Sequence, residues 1–187
     1  MEKDDYAVVL DFLIKGKSDV PSHKRKPLAQ IIGEKRFSLL EVTPKPDQTF
    51  AMGERVYIGE GNREKVDHIE RRIKYEWLTP TAKSELPIIL KTLVEQQEER
   101  FINFYNTAGI ISTRLHKLES LPKIGKRHRN EILEERKIKP FFSFADMHER
   151  VKNIPDPAKT IAEKIVDELK GESKYYLFVQ LLRDQPR

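Results

Sequence analysis

Hydrophobic residues in the first 80 positions fall in short runs separated by Gly and Pro, a pattern that is typical of β-strands. β-Branched and aromatic runs predict strands at residues 6–14, 37–43 and 55–58, and alternation of hydrophobic and polar positions predicts a fourth strand at residues 69–78. Residues 28–32 are predicted to form a helical turn between the first two strands. Short strands separated by such turn residues favour a small antiparallel sheet or barrel.

After Trp77 the hydrophobic period lengthens to between three and four residues, which predicts helices. Ser84 is placed to cap a long first helix, with Pro87 in its first turn, where a missing N–H costs nothing. Shorter helices are predicted at residues 112–120, 127–136, 143–151 and 157–170. We expect Trp77 to be buried where the two patterns meet.

The change of period near Thr79 predicts two domains, a β-rich domain over residues 1–79 and a helical domain over residues 80–187. Residues 175–182 are again rich in aliphatic and aromatic residues, and we expect them to form a strand that returns to the N-terminal sheet. The predicted fold class is therefore α+β.

An internal repeat lies within the helical part of the chain. Residues 118–132 align without gaps to residues 151–165, and the alignment matches hydrophobic positions, one Pro and one Lys. Each copy has the pattern of a helix, a tight turn containing Pro, and a second helix. The shared positions exceed what helical periodicity alone would produce.

The turn of the first copy has the composition of a phosphate-binding site. Gly125 permits close approach of the backbone to an anion, and the N–H groups that open the following helix point toward it. Lys126 and Arg127 lie in the first turn of that helix, where cations oppose the helix dipole. Because the helix itself favours acidic residues there, the two basic residues suggest an anionic partner.

The run Leu121-Pro122-Lys123-Ile124-Gly125, followed by Ile132, resembles the signature of the helix-hairpin-helix motif. Two positions depart from that signature, because Lys123 replaces a glycine and Arg129 replaces a small residue. The second copy departs further, and we interpret it as largely structural. The nucleic-acid-binding residues that the resemblance implies are Lys123, Ile124, Gly125, Lys126, Arg127 and Arg129.

Residues 6–13, 52–59, 121–125 and 140–151 extend the resemblance to the whole chain. They resemble a family of uncharacterised archaeal proteins for which nucleic-acid binding is the suggested role. The resemblance implies an oligonucleotide-binding-like (OB-like) β-barrel joined to a helical domain with paired helix-hairpin-helix motifs. It implies no reaction.

Charge is concentrated at the first turn. The chain has 35 Lys and Arg against 30 Asp and Glu, a net charge of +5. Residues 121–139 contain seven basic and three acidic residues, a local excess of four. The run His23-Lys24-Arg25-Lys26 is a second candidate for phosphate contacts, although a solvated loop has the same composition. Contacts from both domains would make binding strongly salt-dependent.

Other chemistry finds little support in the sequence. The chain has no Cys, its five His lack metal-binding spacing, and no Walker loop, nucleophile elbow or dinucleotide fingerprint occurs. We therefore expect no metal site, no cofactor and no enzymatic activity. Phe37, Phe50 and Tyr57 have the right chemistry to stack on bases, but rings in a small β-domain are more often core, which is our expectation here.

The predicted function is non-catalytic, largely sequence-independent nucleic-acid binding, with RNA slightly preferred over DNA. The alternative is a protein-interaction adaptor in a translation, transcription or repair assembly. Positive charge gathered at the first turn and at residues 23–26 favours nucleic acid, whereas an exposed apolar groove favours the adaptor. A charged start and no apolar stretch near the ~20 residues of a membrane span suggest a cytoplasmic protein without membrane contact.

Overall fold

Five strands pair into one curled antiparallel sheet in the computed structural model, which describes residues 4–180 of the chain. The strands are β1 (Tyr6–Leu13), β2 (Leu28–Gly33), β3 (Leu39–Pro44), β4 (Arg55–Tyr57) and β5 (Val66–Arg72). Their order across the sheet is β4-β1-β2-β3-β5, so the sheet is a half-barrel with β4 and β5 at its edges. The α+β class predicted from the sequence is confirmed.

The core of this sheet lies on the inner face of β1, β2 and β3. Val9 pairs with Ile31, and Ala29 pairs with Val42, so successive strands place aliphatic side chains side by side. Phe50 packs against the same cluster and is 7% exposed. Phe37 is fully buried as well, which confirms the expectation that these two rings belong to the core.

The predicted helical turn at residues 28–32 is wrong, because this segment is β2 in the middle of the sheet. Ala29, Gln30, Ile31 and Ile32 all have 0% exposure. A strand that is buried on both faces lacks the alternation of a half-exposed strand, and a short apolar run is then indistinguishable from a buried helical segment.

Within the described residues, five α-helices follow the sheet. They are α1 (Pro80–Gln96), α2 (Glu98–Thr107), α3 (Lys126–Ile138), α4 (Phe144–Arg150) and α5 (Pro157–Lys170), with a small hairpin of β6 (Ile110–Ser112) and β7 (Leu115–His116) between α2 and α3. The predicted cap at Ser84 is wrong, because Thr79 Oγ1 accepts a hydrogen bond from Ala82 N at 3.0 Å and α1 begins at Pro80. Pro87 therefore lies inside the helix.

The predicted helix at residues 112–120 is also wrong. This stretch contains the β6–β7 hairpin and a single 3₁₀ turn over Lys117–Ser120. His116 starts the turn: its Nδ1 accepts a hydrogen bond from Leu118 N, and Glu119 accepts one from His116 N. This capping box fixes a short turn whose buried Leu118 the sequence analysis attributes to a longer helix.

The chain divides into two compact units. Within the described residues, the first unit comprises 4–89, 169–171 and 178–180, and the second comprises 90–168 and 172–177. Residues 175–180 form no strand, and residues 181 and 182 of the predicted strand lie outside the described residues. Gln180 belongs to the first unit through hydrogen bonds instead, from Arg36 to its side chain at 2.8 Å and from Arg72 to its carbonyl.

Two tight turns in the second unit have the same backbone geometry. Lys123 and Asn153 both adopt positive φ angles, 63° and 55°. Each is followed by a buried isoleucine, Ile124 or Ile154, whose N–H donates to the carbonyl three residues earlier at 3.3 or 3.4 Å. The sequence repeat therefore corresponds to a repeated turn.

The gapless alignment of the two copies is wrong by three residues at this turn. Lys123 and Asn153 are 30 positions apart, whereas the fully buried Ile132 and Ile165 are 33 apart. The second copy thus has three more residues between its turn and the isoleucine of its helix. The φ angles, the buried isoleucine that follows and its hydrogen bond together identify the equivalent turn residues.

Comparing Gly with Ala at position 123 tests the turn. Both substitutions remove the ion pair with Glu163, but only Gly adopts a positive φ without a Cβ penalty. Lys123→Gly should therefore be more stable to urea than Lys123→Ala, by about 0.5–1 kcal/mol. At the exposed Lys152, which has no positive φ, the order should be reversed. A Lys123→Gly protein no more stable than Lys123→Ala would contradict the assignment.

Candidate functional site

The first of the two repeated turns, at residues 121–125 and called the first turn below, leads directly into the N-terminus of α3. Gly125 is the N-cap residue, with extended backbone angles of φ −94° and ψ −175°. A Cβ built on Gly125 would meet nothing within 4 Å, so the backbone here is open to solvent. Arg129 N makes the first helical hydrogen bond, to Gly125 O at 3.0 Å. The amides of the three preceding helical residues are thus the free donors of this helix end.

Among residues 4–180 no side chain caps α3, and the first turn of this helix contains no acidic residue. Each of the other four helices has one or the other. The caps are Thr79 for α1, Ser143 for α4 and Asp156 for α5, and α2 has Glu98 and Glu99 in its first turn. The positive end of the α3 dipole is therefore left for an external anion or for water.

The contrast is sharpest between the two repeated turns. Asp156 Oδ1 accepts a hydrogen bond from Lys159 N at 3.1 Å, so a carboxylate already occupies the N-terminus of α5. At the first turn the corresponding place is taken by a glycine. The two turns lie next to each other, because His128 Nε2 is 3.1 Å from Asn153 O.

The basic residues around the first turn differ in whether their side chains already form ion pairs within the protein. Lys123 pairs with Glu163 at 2.8 Å, and Arg127 pairs with Glu131 at 3.0 Å, both at the surface. Lys126 is exposed and forms no ion pair or hydrogen bond with any of residues 4–180. It is the cation of the predicted site that is most available to a ligand.

Arg129 is engaged within the protein. Its Nη1 is 2.7 Å from Glu119 Oε2, and its Nε and Nη2 donate to Asn130 Oδ1. Burial alone would raise the pKa of Glu119, but the hydrogen bond from Arg129 lowers it below the ordinary value, so this ion pair persists. Arg129 accordingly contributes more to the packing of the 3₁₀ turn against α3 than to an exposed positive surface.

Two further arginines of the second unit stabilise helix ends. Arg136 Nη1 donates to the carbonyls of Tyr105 and Ala108 at 2.9 Å, where α2 ends. Arg150 Nη2 donates to the carbonyls of Glu135 and Lys139 at 2.7 Å, where α3 ends. Arg136 contributes to the charge excess of residues 121–139, yet its guanidinium is hydrogen-bonded to the backbone.

The second predicted segment, residues 23–26, lies in the first unit, in the loop between β1 and β2. All four side chains are exposed. Arg25 braces the loop, since its guanidinium donates to Val20 O at 2.7 Å and Ser18 O at 2.9 Å. Lys24 and Lys26 line a shallow pocket of about 320 Å³.

Residues 4–180 include no group of three or more His, Asp or Glu side chains arranged to hold a metal ion. Within the same residues, each helix is too short or too polar to cross a membrane.

Comparison with known proteins places the chain in a family. Residues 3–180 match the model described as "Protein of unknown function (DUF655)", and the chain belongs to this family. It is similar to "Uncharacterized protein MJ0038" of Methanocaldococcus jannaschii, with 48% identity over 179 residues that cover 95% of this chain and 80% of that protein. The expected relation to uncharacterised archaeal proteins is confirmed.

A solved structure is similar as well. It is the crystal structure of Af1531 from Archaeoglobus fulgidus, described as a family model of DUF655. The TM-score is 0.88 and the identity 46%, over 95% of this chain and 100% of the other.

His116 provides a pH test of the turn that precedes the site. Burial, with the nearby charges of Arg136 and Arg129, lowers the pKa of His116, and only Glu119 opposes this shift. The imidazole is therefore neutral in the folded protein at pH values where the unfolded chain binds a proton. Its contribution to stability is complete above the unfolded pKa of about 6.5 and is lost as the pH falls below it.

We expect His116→Asn to remove this dependence, because Asn accepts the hydrogen bond from Leu118 N without titrating. Urea unfolding between pH 7.5 and 5.5 should show the variant gaining stability relative to the wild type as the pH falls. His68→Asn should change in the opposite direction, since its bond to Asp67 raises the pKa of His68. A difference between wild type and His116→Asn that does not vary with pH would contradict this account.

Proposed function

We propose that this member of the DUF655 family binds nucleic acid without catalysis and largely without sequence specificity, with RNA slightly preferred over DNA. The observation that carries the proposal is the uncapped N-terminus of α3, with Gly125 open to solvent and the exposed Lys126 beside it. Backbone amides at a helix N-terminus bind phosphate oxygens. Such contacts position a phosphate backbone but read no base.

We propose that this phosphate site is a helix-hairpin-helix. In support, the turn residue Lys123 has the positive φ that the motif's glycine provides, and the hydrophobic Leu121, Ile124 and Ile132 are buried. The second turn repeats this geometry, but Asp156 occupies its helix N-terminus. We therefore assign the binding role to the first turn and a structural role to the second.

The sheet of the first unit supports the OB-like part of the proposal. A half-barrel of order β4-β1-β2-β3-β5 becomes a closed five-stranded barrel if β4 and β5 are brought together. OB-folds bind oligonucleotides with the loop between their first two strands and with strands 2 and 3. In this chain that loop contains Lys24 and Lys26, and we propose that these residues contact phosphates.

The adaptor role is a second candidate, favoured by two exposed apolar side chains after the site. Ile138 and Phe142 are 79% and 70% exposed, and both follow the basic part of α3. Exposed apolar side chains of this size are common in protein interfaces. Such a partner would be a protein of translation, transcription or repair.

Fluorescence anisotropy with labelled single- and double-stranded RNA and DNA tests the function directly. Submicromolar binding, with a log–log slope against salt near −3 or steeper, is the expected result, because several phosphate contacts release as many counterions. Equal affinities for unrelated sequences would support the absence of base reading. A chain that binds none of the four ligands at low salt would leave the adaptor as the working model.

The substitution Lys126→Glu separates binding from folding. It should weaken binding to all sequences alike and reduce the magnitude of the salt slope by about one. The same change places an acidic residue in the first turn of α3, where its interaction with the helix dipole stabilises the helix. The midpoint of thermal unfolding should therefore not fall.

The matched control for this change is Lys159→Glu, in the first turn of α5. It alters the net charge equally, but at a helix end that Asp156 already caps. It should leave affinity near that of the wild type. Equal losses from Lys126→Glu and Lys159→Glu would point to general electrostatic attraction and contradict a specific site at the first turn.

Gly125→Val tests the close approach of a phosphate to the turn. Because the backbone there is extended and the Cβ would meet no atom, the protein should fold, with a cost of about 1 kcal/mol from the poorer N-cap. Binding should nevertheless be lost, because a branched side chain stands where the ligand approaches. Gly109→Val, at another open glycine of the second unit, should bind normally. Unchanged binding by Gly125→Val would refute the assignment.

A further inference from the structure

The first unit contains a groove that the sequence analysis does not identify. Two pockets, of about 380 and 320 Å³, share Lys17 and Arg71 as lining residues and thus adjoin. Gln30 and Trp77 line the first pocket, and Lys24 and Lys26 line the second. We call the two pockets together the Glu41 groove, after the carboxylate that binds both Lys17 and Arg71. Each pocket lies within the size range of small-ligand sites.

Glu41 organises the cations of this groove. It is 2% exposed, and it accepts hydrogen bonds from Lys17 at 2.5 Å, Arg71 at 2.8 Å and Gln30 at 3.2 Å. Burial alone would raise the pKa of Glu41, but these three donors together lower it, so the carboxylate is ionised. One negative charge thus holds two positive groups in place and leaves an excess positive charge on the wall.

The residues that line both pockets give the groove a net positive charge. Its basic side chains are Lys17, Lys24, Arg25, Lys26 and Arg71, and its acidic side chains are Asp19, Glu41 and Glu70. The excess of two favours an anionic ligand.

Trp77 forms an aromatic platform at one end of the groove. The prediction that Trp77 is buried is wrong, because 49% of the residue is exposed. The guanidinium carbon of Arg71 lies 5.0 Å from the centre of the indole ring. A tryptophan of the core is rarely half-exposed beside a cationic pocket. Such exposure is typical of a ring on which a planar group stacks.

The backbone beneath Trp77 is held rigidly. The fully buried Gln30 donates from Nε2 to Trp77 O at 2.9 Å and accepts at Oε1 from Thr79 N at 2.8 Å. Leu78, between these two bonds, is buried. The indole is therefore presented by a fixed segment rather than a loose loop, which reduces the entropy cost of binding a ligand.

We infer that the Glu41 groove binds an unpaired stretch of nucleic acid, with one base stacked on Trp77 and the adjoining phosphates near Lys17, Lys24 and Lys26. The inference rests on the proposed function and adds to it a preference for single strands. A base in a duplex is already stacked on its neighbours, so its face cannot reach the indole. Because every base has such a face, stacking on Trp77 is tolerant of sequence.

Trp77 is the single tryptophan of the chain, so its emission reports on this site alone. The experiment titrates the full-length protein with a 15-nucleotide oligo-dT or oligo-U and records tryptophan emission and the anisotropy of a labelled copy. We expect a saturable decrease in emission at the concentrations where anisotropy saturates. A blunt duplex of the same length should raise the anisotropy without this decrease.

Substitutions then test whether the ring contributes affinity. Trp77→Ala should weaken binding of the single strand roughly 5- to 150-fold, and Trp77→Phe should recover part of the loss, because stacking on one ring is worth about 1–3 kcal/mol. Duplex binding should be unchanged in both variants. Phe142→Ala, which removes another exposed ring from the second unit, serves as the control and should bind both ligands normally.

The outcomes distinguish this inference from the proposed function. If no nucleic acid raises the anisotropy, the proposed function is refuted and the groove with it. If single strands bind while the emission of Trp77 stays constant and Trp77→Ala keeps its affinity, the groove inference is overturned and the phosphate site at Gly125 still stands. Loss of duplex binding in Trp77→Ala would also overturn it, since stacking on an unpaired base would not explain that loss.

Discussion

The backbone amides at the start of α3 need hydrogen-bond acceptors, and within the described part of the chain no side chain caps them. A capping side chain is typically worth about 1 kcal/mol, and the helix after the second turn obtains this stabilisation from Asp156. The helix after the first turn has Gly125 at this position instead, followed by Lys126, which the helix dipole disfavours. Both choices destabilise the isolated protein slightly, and an anion bound at this helix end would reverse both effects.

Local charge must be divided between folding and binding before it supports any function. Arg129 forms an ion pair with Glu119. Arg136 and Arg150 donate hydrogen bonds to the backbone carbonyls where α2 and α3 end. The charge excess around the first turn is therefore smaller at the surface than in the sequence. Lys126 remains exposed, and its position beside the open amides matters more than the total number of cations.

Sequence patterns located most of the elements but failed at one buried strand and at one exposed ring. The β-branched and aromatic composition of β1 and the helical period of α5 gave nearly correct limits, and α5 matches at both ends. Strand β2 was missed because both of its faces are covered, and Trp77 was misplaced because aromatic residues are usually buried. The residues of the Glu41 groove come from separate strands and loops, so a pattern of neighbouring residues in the sequence cannot predict the groove.

Within the candidate site, composition located the first turn but could not show which of its basic residues are free to bind a ligand. Lys123, Lys126, Arg127 and Arg129 look equivalent in the sequence, and only their partners separate the exposed Lys126 from the engaged Arg129. Asp156 directly precedes the predicted start of α5, yet it was not identified as a counterpart of Gly125, because the gapless alignment placed the second turn three residues away from its true position. Turn geometry, rather than similarity of residue types, distinguishes the two turns.

The two proposed contacts rely on different physics, and neither reads the edge of a base. Amides at the start of α3 recognise a phosphate, which every nucleotide carries, in single strands and duplexes alike. The indole of Trp77 recognises the face of a base, which every nucleotide also carries but only an unpaired one exposes. Electrostatic contacts weaken steeply with salt, whereas stacking depends on it far less. A protein that combines both would therefore select nucleic acid by strandedness rather than by sequence, and the selection would persist at salt concentrations that weaken the phosphate contacts.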